Sequence, residues 1–127
     1  MSLEPGLEAA VERIVTEADT ARALGSGDVD VFGTPALIAA CEEASVLAVK
    51  PHLDDEQTTV GTRIELEHLA PTPVGRRVTA TAVLDGVDGR SLTFIVSAID
   101  ETGEIARGSH NRVIVGRERF LETANAR

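Results

Sequence analysis

Apolar and polar residues alternate in three consecutive segments of the second half of the chain, at about 76–85, 90–99 and 104–115. Alternation with a period of two is typical of strands that bury one face. Short turn sequences, Asp88-Gly89 and Glu101-Thr102-Gly103, separate the segments, so the three strands are predicted to form an antiparallel meander. The residues predicted to face the core of the first two strands are Val78, Ala80, Ala82, Leu84, Leu92, Phe94, Val96 and Ala98.

A fourth strand is predicted upstream, at about 58–69, where Ile64 and Leu66 alternate with charged residues. It ends at His68, which is followed by the sequence "LAPTPVG". Two prolines and a glycine in seven residues are typical of a turn. His68 is therefore predicted to lie where a strand ends, at the edge of the sheet.

Residues 34–49 have a different pattern, because apolar and small residues occupy nearly every position. Thr34 is predicted as the N-cap of a helix, Pro35 suits its first turn, and Pro51 ends it. A helix that is apolar nearly all round is expected to be buried on most sides. Glu42 is then costly unless it is paired, and its spacing places it on a more buried side than Glu43.

The first 24 residues allow two interpretations. Residue propensities favour a helix at 7–15, whereas the alternation in "AVERIVTEAD" favours a strand at about 9–17 and a helical turn at 19–24 that ends at Gly25. Residues 25–33 are predicted to form a loop. One apolar helix with a long antiparallel sheet predicts an α+β fold in which the sheet wraps around that helix.

The composition narrows the classes of function. The chain has 127 residues, which fits one domain over 1–127, and a net charge of −9, which argues against binding to nucleic acid or to a membrane surface. Cys41 is the only cysteine, so no internal disulfide forms, and a cytoplasmic location is expected. No metal-binding spacing, signal peptide or spanning segment is recognised.

Three quoted segments, "VGTRIELEHLAPTPVGRRVTATA", "VDGRSLTFIVSAID" and "GSHNRVIV", resemble the hotdog-fold thioesterases that are similar to fluoroacetyl-CoA thioesterase. The resemblance covers about residues 34–120. It implies a hotdog fold, an acyl-CoA substrate, a homodimer, and no cofactor apart from the coenzyme A of the substrate. It also implies catalytic roles for Thr34, Glu42 and His68 and substrate-binding roles for Gly61, Thr62 and Arg112.

Two other classes of function are weighed against hydrolysis. A hotdog protein that binds an acyl-CoA or another small ligand without hydrolysing it has the same fold. A hydratase or dehydratase uses an aspartate–histidine pair, and the central helix region of this chain lacks one. The family's fluoroacetyl-specific member carries aromatic residues before the helix, whereas residues 17–33 contain only Phe32. A lid suited to fluoroacetyl groups is therefore not expected.

Overall fold

The computed structural model describes residues 3–127 and places a five-stranded antiparallel sheet around one long helix. The strands are β1 (Glu8–Ile14), β2 (Gln57–His68), β3 (Arg77–Asp88), β4 (Ser91–Asp100) and β5 (Gly103–Gly116). The α-helices are α1 (Ala21–Leu24), α2 (Thr34–Val49) and α3 (Arg117–Asn125), and short 3₁₀ turns lie at Glu17–Asp19 and Lys50–His52. This arrangement confirms the predicted α+β hotdog architecture.

The strands lie in the order β1-β3-β4-β5-β2. The predicted meander β3–β4–β5 forms the middle of the sheet, and β2 pairs with β5 across a bulge between Gly61 and Arg63. Within the described part of the chain, β2 pairs with no second strand. One edge of β2 therefore presents unpaired backbone N–H and C=O groups.

The core lies between α2 and the inner face of the sheet. The eight residues predicted to face inward from β3 and β4 are all buried. The alternation is strict because each strand has one face against the helix and the other in solvent. Leu37, Ala40 and Cys41 of α2 are completely buried against this face.

One prediction about α2 is wrong and another is confirmed. Its N-cap is Gly33, and Thr34 is the first helical residue, so the Thr34 hydroxyl does not cap the helix. The helix is buried on most sides, as its apolar composition predicted, and a single stripe with a spacing of four is exposed. The side chain of Leu47 is 42% exposed, and Ala39 and Glu43 are exposed as well, because the sheet does not cover that side of the helix.

At the two ends of the chain, the structure decides what the sequence left open or missed. The strand interpretation of the N-terminal segment is right, because Glu8–Ile14 completes the sheet beside β3. The helical turn after it ends at Gly25, which adopts a left-handed conformation with φ of 72°. The helix α3 was not predicted, and it has no buried residue. None of the helices in residues 3–127 is long and apolar enough to cross a membrane.

Candidate active site

The first functional pair joins the start of α2 to the end of β2. The hydroxyl of Thr34 lies 2.8 Å from Nδ1 of His68, which is hydrogen-bonding distance. Because Gly33 provides the helix cap and Thr34 is exposed, this hydroxyl is available to the imidazole. Residues 34 positions apart in the sequence are therefore brought into direct contact.

The environment of His68 suits proton transfer. Burial lowers its pKa, so the neutral imidazole predominates at neutral pH. Its second ring nitrogen, Nε2, is buried and has no hydrogen-bond partner within residues 3–127. A depression of about 240 Å³, lined by Val31, His68 and Leu69–Pro71, opens beside the ring. A neutral imidazole can accept a proton, and its N–H can donate a hydrogen bond.

The second functional group surrounds Glu42, in the middle of α2. Nη1 of Arg112 lies 3.3 Å from Oε2 of Glu42, and Nε2 of His110 lies 3.9 Å from the same oxygen. The side chain of Glu42 is 41% exposed, so it is less buried than the sequence suggested. Glu43 points elsewhere and forms an ion pair with Arg13 on β1. The carboxylate of Glu42 is thus paired on its inner side and open on its outer side.

Gly61 allows the side chain of Glu42 to lie directly against the backbone of β2. A Cβ atom at this position would lie 2.8 Å from Oε2 of Glu42, 3.2 Å from Nη1 of Arg112 and 3.3 Å from Cε1 of His110. Three functional side chains therefore converge on the position where any other residue would place a methyl or larger group. This is the close backbone approach for which glycine is required.

Thr62 differs from the other residues predicted to bind substrate. It is exposed, it lies in the bulge of β2, and its hydroxyl donates to the backbone carbonyl of Asn111 on β5. The bulge turns Thr62 away from the regular alternation of the strand. The structure thus brings Gly61 and Arg112 together at Glu42, whereas it places Thr62 beside them in a structural hydrogen bond.

Within one chain, the Thr34–His68 pair and the Glu42 group are separate. No hydrogen bond or ion pair of the described residues joins Glu42 to Thr34 or His68. Eight residues of α2 separate Thr34 from Glu42, which corresponds to about 12 Å at the rise of an α-helix. The two groups lie along the same stretch of α2 and β2, because β2 runs antiparallel to the helix.

Sequence reasoning missed two members of the Glu42 group. His110 and Thr59 are not among the predicted site residues, yet both contact the guanidinium of Arg112. The available signal was the two-residue spacing of His110 and Arg112 on one strand, which places both on the same face. Other arginines that could have bound phosphate, Arg76, Arg77 and Arg107, lie in exposed ion pairs.

Potential metal ligands do not gather in the described part of the chain. No three His, Cys, Asp or Glu side chains of residues 3–127 lie close enough to hold a metal ion. Burial raises the pKa of the Cys41 thiol to about 11, and the charge of Glu42 contributes in the same direction. Such a thiol is a poor nucleophile, so Cys41 is a packing residue.

The family model and the sequence relative both relate this chain to fluoroacetyl-CoA thioesterases. Residues 15–118 match the family model described as fluoroacetyl-CoA-specific thioesterase. The fluoroacetyl-CoA thioesterase of Streptantibioticus cattleyicolor is 41% identical over 91 residues, which are 72% of this chain and 66%, just under two thirds, of that protein. The predicted resemblance is therefore confirmed.

Solved structures agree over nearly the whole chain. A structure of the fluoroacetyl-CoA thioesterase superposes with a TM-score of 0.94 at 32% identity, covering 100% of this chain and 98% of that one. A mutant of that enzyme in complex with fluoroacetate and coenzyme A superposes with a TM-score of 0.88 at 34% identity, covering 93% and 99%. A hot-dog-like protein from Thermanaerovibrio acidaminovorans has a TM-score of 0.86 at 25% identity, covering 94% and 89%.

Proposed function

The chain belongs to the family of fluoroacetyl-CoA-specific thioesterases, and from this premise we propose that it hydrolyses small acyl-CoA thioesters with Thr34, His68 and Glu42. The predicted thioesterase activity agrees with the family. The observation that carries the site assignment is the 2.8 Å contact between the Thr34 hydroxyl and a His68 imidazole whose other nitrogen is unused. The reaction needs no cofactor, because coenzyme A enters as part of the substrate.

Hydrolysis adds water to the thioester carbonyl and breaks the carbon–sulfur bond. Glu42 takes a proton from the attacking water, since its outer side is open and its inner side is oriented by Arg112. The water oxygen ends in the free acid. The proton held by Glu42 then passes to the leaving thiolate of coenzyme A. The neutral imidazole of His68, whose ring is oriented by Thr34, donates a hydrogen bond to the substrate and stabilises the developing negative charge. Single turnover in ¹⁸O-labelled water should label the acid and leave Glu42 unlabelled, whereas label in Glu42 would indicate direct attack by the carboxylate.

The protein acts as a homodimer whose two copies share each site. The open edge of β2 and the partly exposed apolar face of α2, with Leu47 42% exposed, support this assembly. When two β2 strands pair antiparallel around Ile64 and Glu65, Gly61 of one copy lies opposite the partner's His68. The roughly 12 Å between the two groups in one chain is then bridged by the second copy.

Mixing two inactive variants tests the shared site. Glu42→Gln and His68→Asn are each expected to be inactive as homodimers. After they are unfolded together and refolded, half of the dimers are mixed, and one of the two sites in each mixed dimer is intact. Roughly a quarter of the wild-type activity should return. If the site lies within one chain, mixing restores nothing.

The acyl group is not restricted to fluoroacetyl. Phe32, the only aromatic residue of the segment before α2, is 1% exposed and packs in the core, so it cannot contact a substrate. Acetyl-, propionyl- and fluoroacetyl-CoA are therefore expected to be hydrolysed with similar kcat/KM. A strong preference for fluoroacetyl-CoA would contradict this part of the proposal.

Thiol release from a panel of acyl-CoAs tests the activity itself. Wild type should turn over, and Glu42→Gln and His68→Ala should not. Two matched controls, Glu43→Gln and His52→Ala, change the same residue types outside the site and should remain active. Binding of acyl-CoA in calorimetry without thiol release would favour the binding protein instead. A cytoplasmic location is proposed from the single reduced cysteine, Cys41.

A further inference from the structure

A continuous set of buried polar contacts lies behind Glu42. His110 is 1% exposed and Arg112 is 6% exposed, and both side chains lie on the face of β5 that is directed towards α2. Buried polar groups are costly unless their hydrogen bonds are satisfied. The hydrogen-bond partners of these two residues therefore show which of their nitrogen atoms donate a hydrogen and which accept one.

The guanidinium of Arg112 is held by contacts on every side. Nε donates to the hydroxyl of Thr59 at 2.9 Å, and Nη2 donates to the backbone carbonyl of Thr59 at 3.0 Å. Nη1 lies between two acceptors, Oε2 of Glu42 at 3.3 Å and Nε2 of His110 at 3.1 Å. Because the guanidinium is planar and Thr59 holds Nε and Nη2, the position of Nη1 depends on its contacts with His110 and Glu42.

The partners of His110 determine its tautomer. Nδ1 lies 2.7 Å from the backbone carbonyl oxygen of Arg63, and a carbonyl can only accept, so Nδ1 carries the hydrogen. Nε2 faces Nη1 of Arg112, and a guanidinium can only donate, so Nε2 carries the lone pair. His110 is thus neutral, with a donor towards β2 and an acceptor towards Arg112.

We infer that His110 is a positioning residue, which directs Arg112 at Glu42 only while its Nε2 is unprotonated. The inference rests on the proposed role of Glu42. Protonation would place an N–H against the Nη1 group at 3.1 Å, and the repulsion would move the guanidinium away from its contact with Glu42. Protonation of His110 in acid is then enough to inactivate the site, even when His68 is still neutral.

The surroundings of His110 support this behaviour. Arg112 on the same strand opposes a positive charge on the ring, whereas Glu42 on α2 favours one. Phe94 on β4 packs near the ring, with centroids 6.3 Å apart, and contributes no charge. The guanidinium of Arg63 on β2 is exposed and paired with Glu65. Burial is the largest cause of the shift and lowers the pKa of His110, whereas the hydrogen bond to the Arg63 carbonyl, the next largest cause, raises it.

Two substitutions separate the two hydrogen bonds of the ring. In His110→Gln, the longer side chain can present its amide oxygen to Arg112 and loses the donor to the Arg63 carbonyl. In His110→Asn, the shorter side chain can donate to that carbonyl and leaves Nη1 of Arg112 without its acceptor. A purely structural role, in which His110 links β5 to β2, predicts that Gln is the more damaging change.

The positioning role predicts the reverse order. His110→Gln should keep kcat/KM within about threefold of wild type, and His110→Asn should lose about 10- to 100-fold, as expected for a charged hydrogen bond left unmade. Thermal unfolding checks that both variants are folded. If Asn is as active as Gln, or more active, the inference is wrong.

The pH profile supplies a second measurement. In wild type, both His68 and His110 must be neutral, so log kcat/KM should fall with a slope of about two in acid, whereas in His110→Gln the slope should be about one. ¹⁵N NMR of the unliganded protein tests the tautomer without any activity. A protonated Nε2 on His110 at neutral pH would overturn the inference, whereas absence of turnover with the expected tautomer would count against the proposed function alone.

Discussion

Gly61→Ala is the sharpest test of the close approach of Glu42 to the backbone of β2. The added methyl carbon would lie 2.8 Å from Oε2 of Glu42, which is closer than real Cβ atoms come to other heavy atoms. It would also lie 3.2 Å from Nη1 of Arg112. The carboxylate is the far end of a flexible side chain that is 41% exposed, so it can move aside. The fold is expected to survive, and the carboxylate of Glu42 is displaced from its place beside Arg112.

The two expected magnitudes are therefore very different. Gly61 has no left-handed φ, so alanine fits the backbone, and the smaller entropy of the unfolded chain offsets part of the steric cost. The free energy of unfolding should change by less than about 1 kcal/mol. Displacement of a catalytic group by about 1 Å costs about 100-fold in rate, so kcat/KM should fall by at least that factor.

Urea unfolding and thiol release measure the two quantities separately. Gly86→Ala is the matched control, because it makes the same change in a strand, where the new Cβ would meet only Thr93 at 3.9 Å. The control should retain full activity. Wild-type hydrolysis by Gly61→Ala would refute the requirement for Glu42 in its observed position. Destabilisation by several kcal/mol would show instead that the methyl group disturbs the packing of β2 rather than the site.

Three further predictions follow from the same contacts. Thr34→Val, which removes the hydrogen bond to His68, should lower kcat about 10- to 100-fold and change the free energy of unfolding by less than about 1 kcal/mol, whereas Thr34→Ser should remain active in thiol release. The pKa values of His68 and His110 are lowered by folding, so the unfolded chain binds protons more readily than the folded one near the ordinary imidazole pKa of 6.5. Stability in urea should therefore fall as the pH drops through about 6.5 and be flat with respect to these groups above it, and a double variant His68→Asn, His110→Gln should remove that slope. Cys41, whose pKa is raised to about 11, should resist a thiol-specific reagent in the native protein and react at once in urea, and fast native labelling would contradict its burial.

The sequence pattern was most informative where one physical requirement decides the structure. Strict alternation in β3 and β4 reflects a sheet with one dry face, so the eight inward residues could be predicted without coordinates. The helix α2 was predicted over 34–49, and the structure has Thr34–Val49. In contrast, α3 lacks a buried face, so no hydrophobic period marks it in the sequence.

The candidate site was also predictable only in part. The residue types and the family resemblance were enough to select Thr34, Glu42 and His68 as candidates. What they contact depends on which strand lies beside which helix, and this is a property of the tertiary structure. The Thr34 hydroxyl was predicted to cap α2, and it contacts His68 instead, because Gly33 provides the N-cap.

The sequence by itself thus determined the α+β class, the span of the central helix, the core faces of the strands and the family. Only the tertiary structure decided that Arg112, His110 and Gly61 meet at Glu42, and that Thr34 and His68 form a second group some 12 Å away along the helix. The physical reason is that alternation and helical period report which side of an element is buried. They carry no information about which residues from distant elements lie next to each other. The hydrogen-bond partners of a side chain depend on those neighbours.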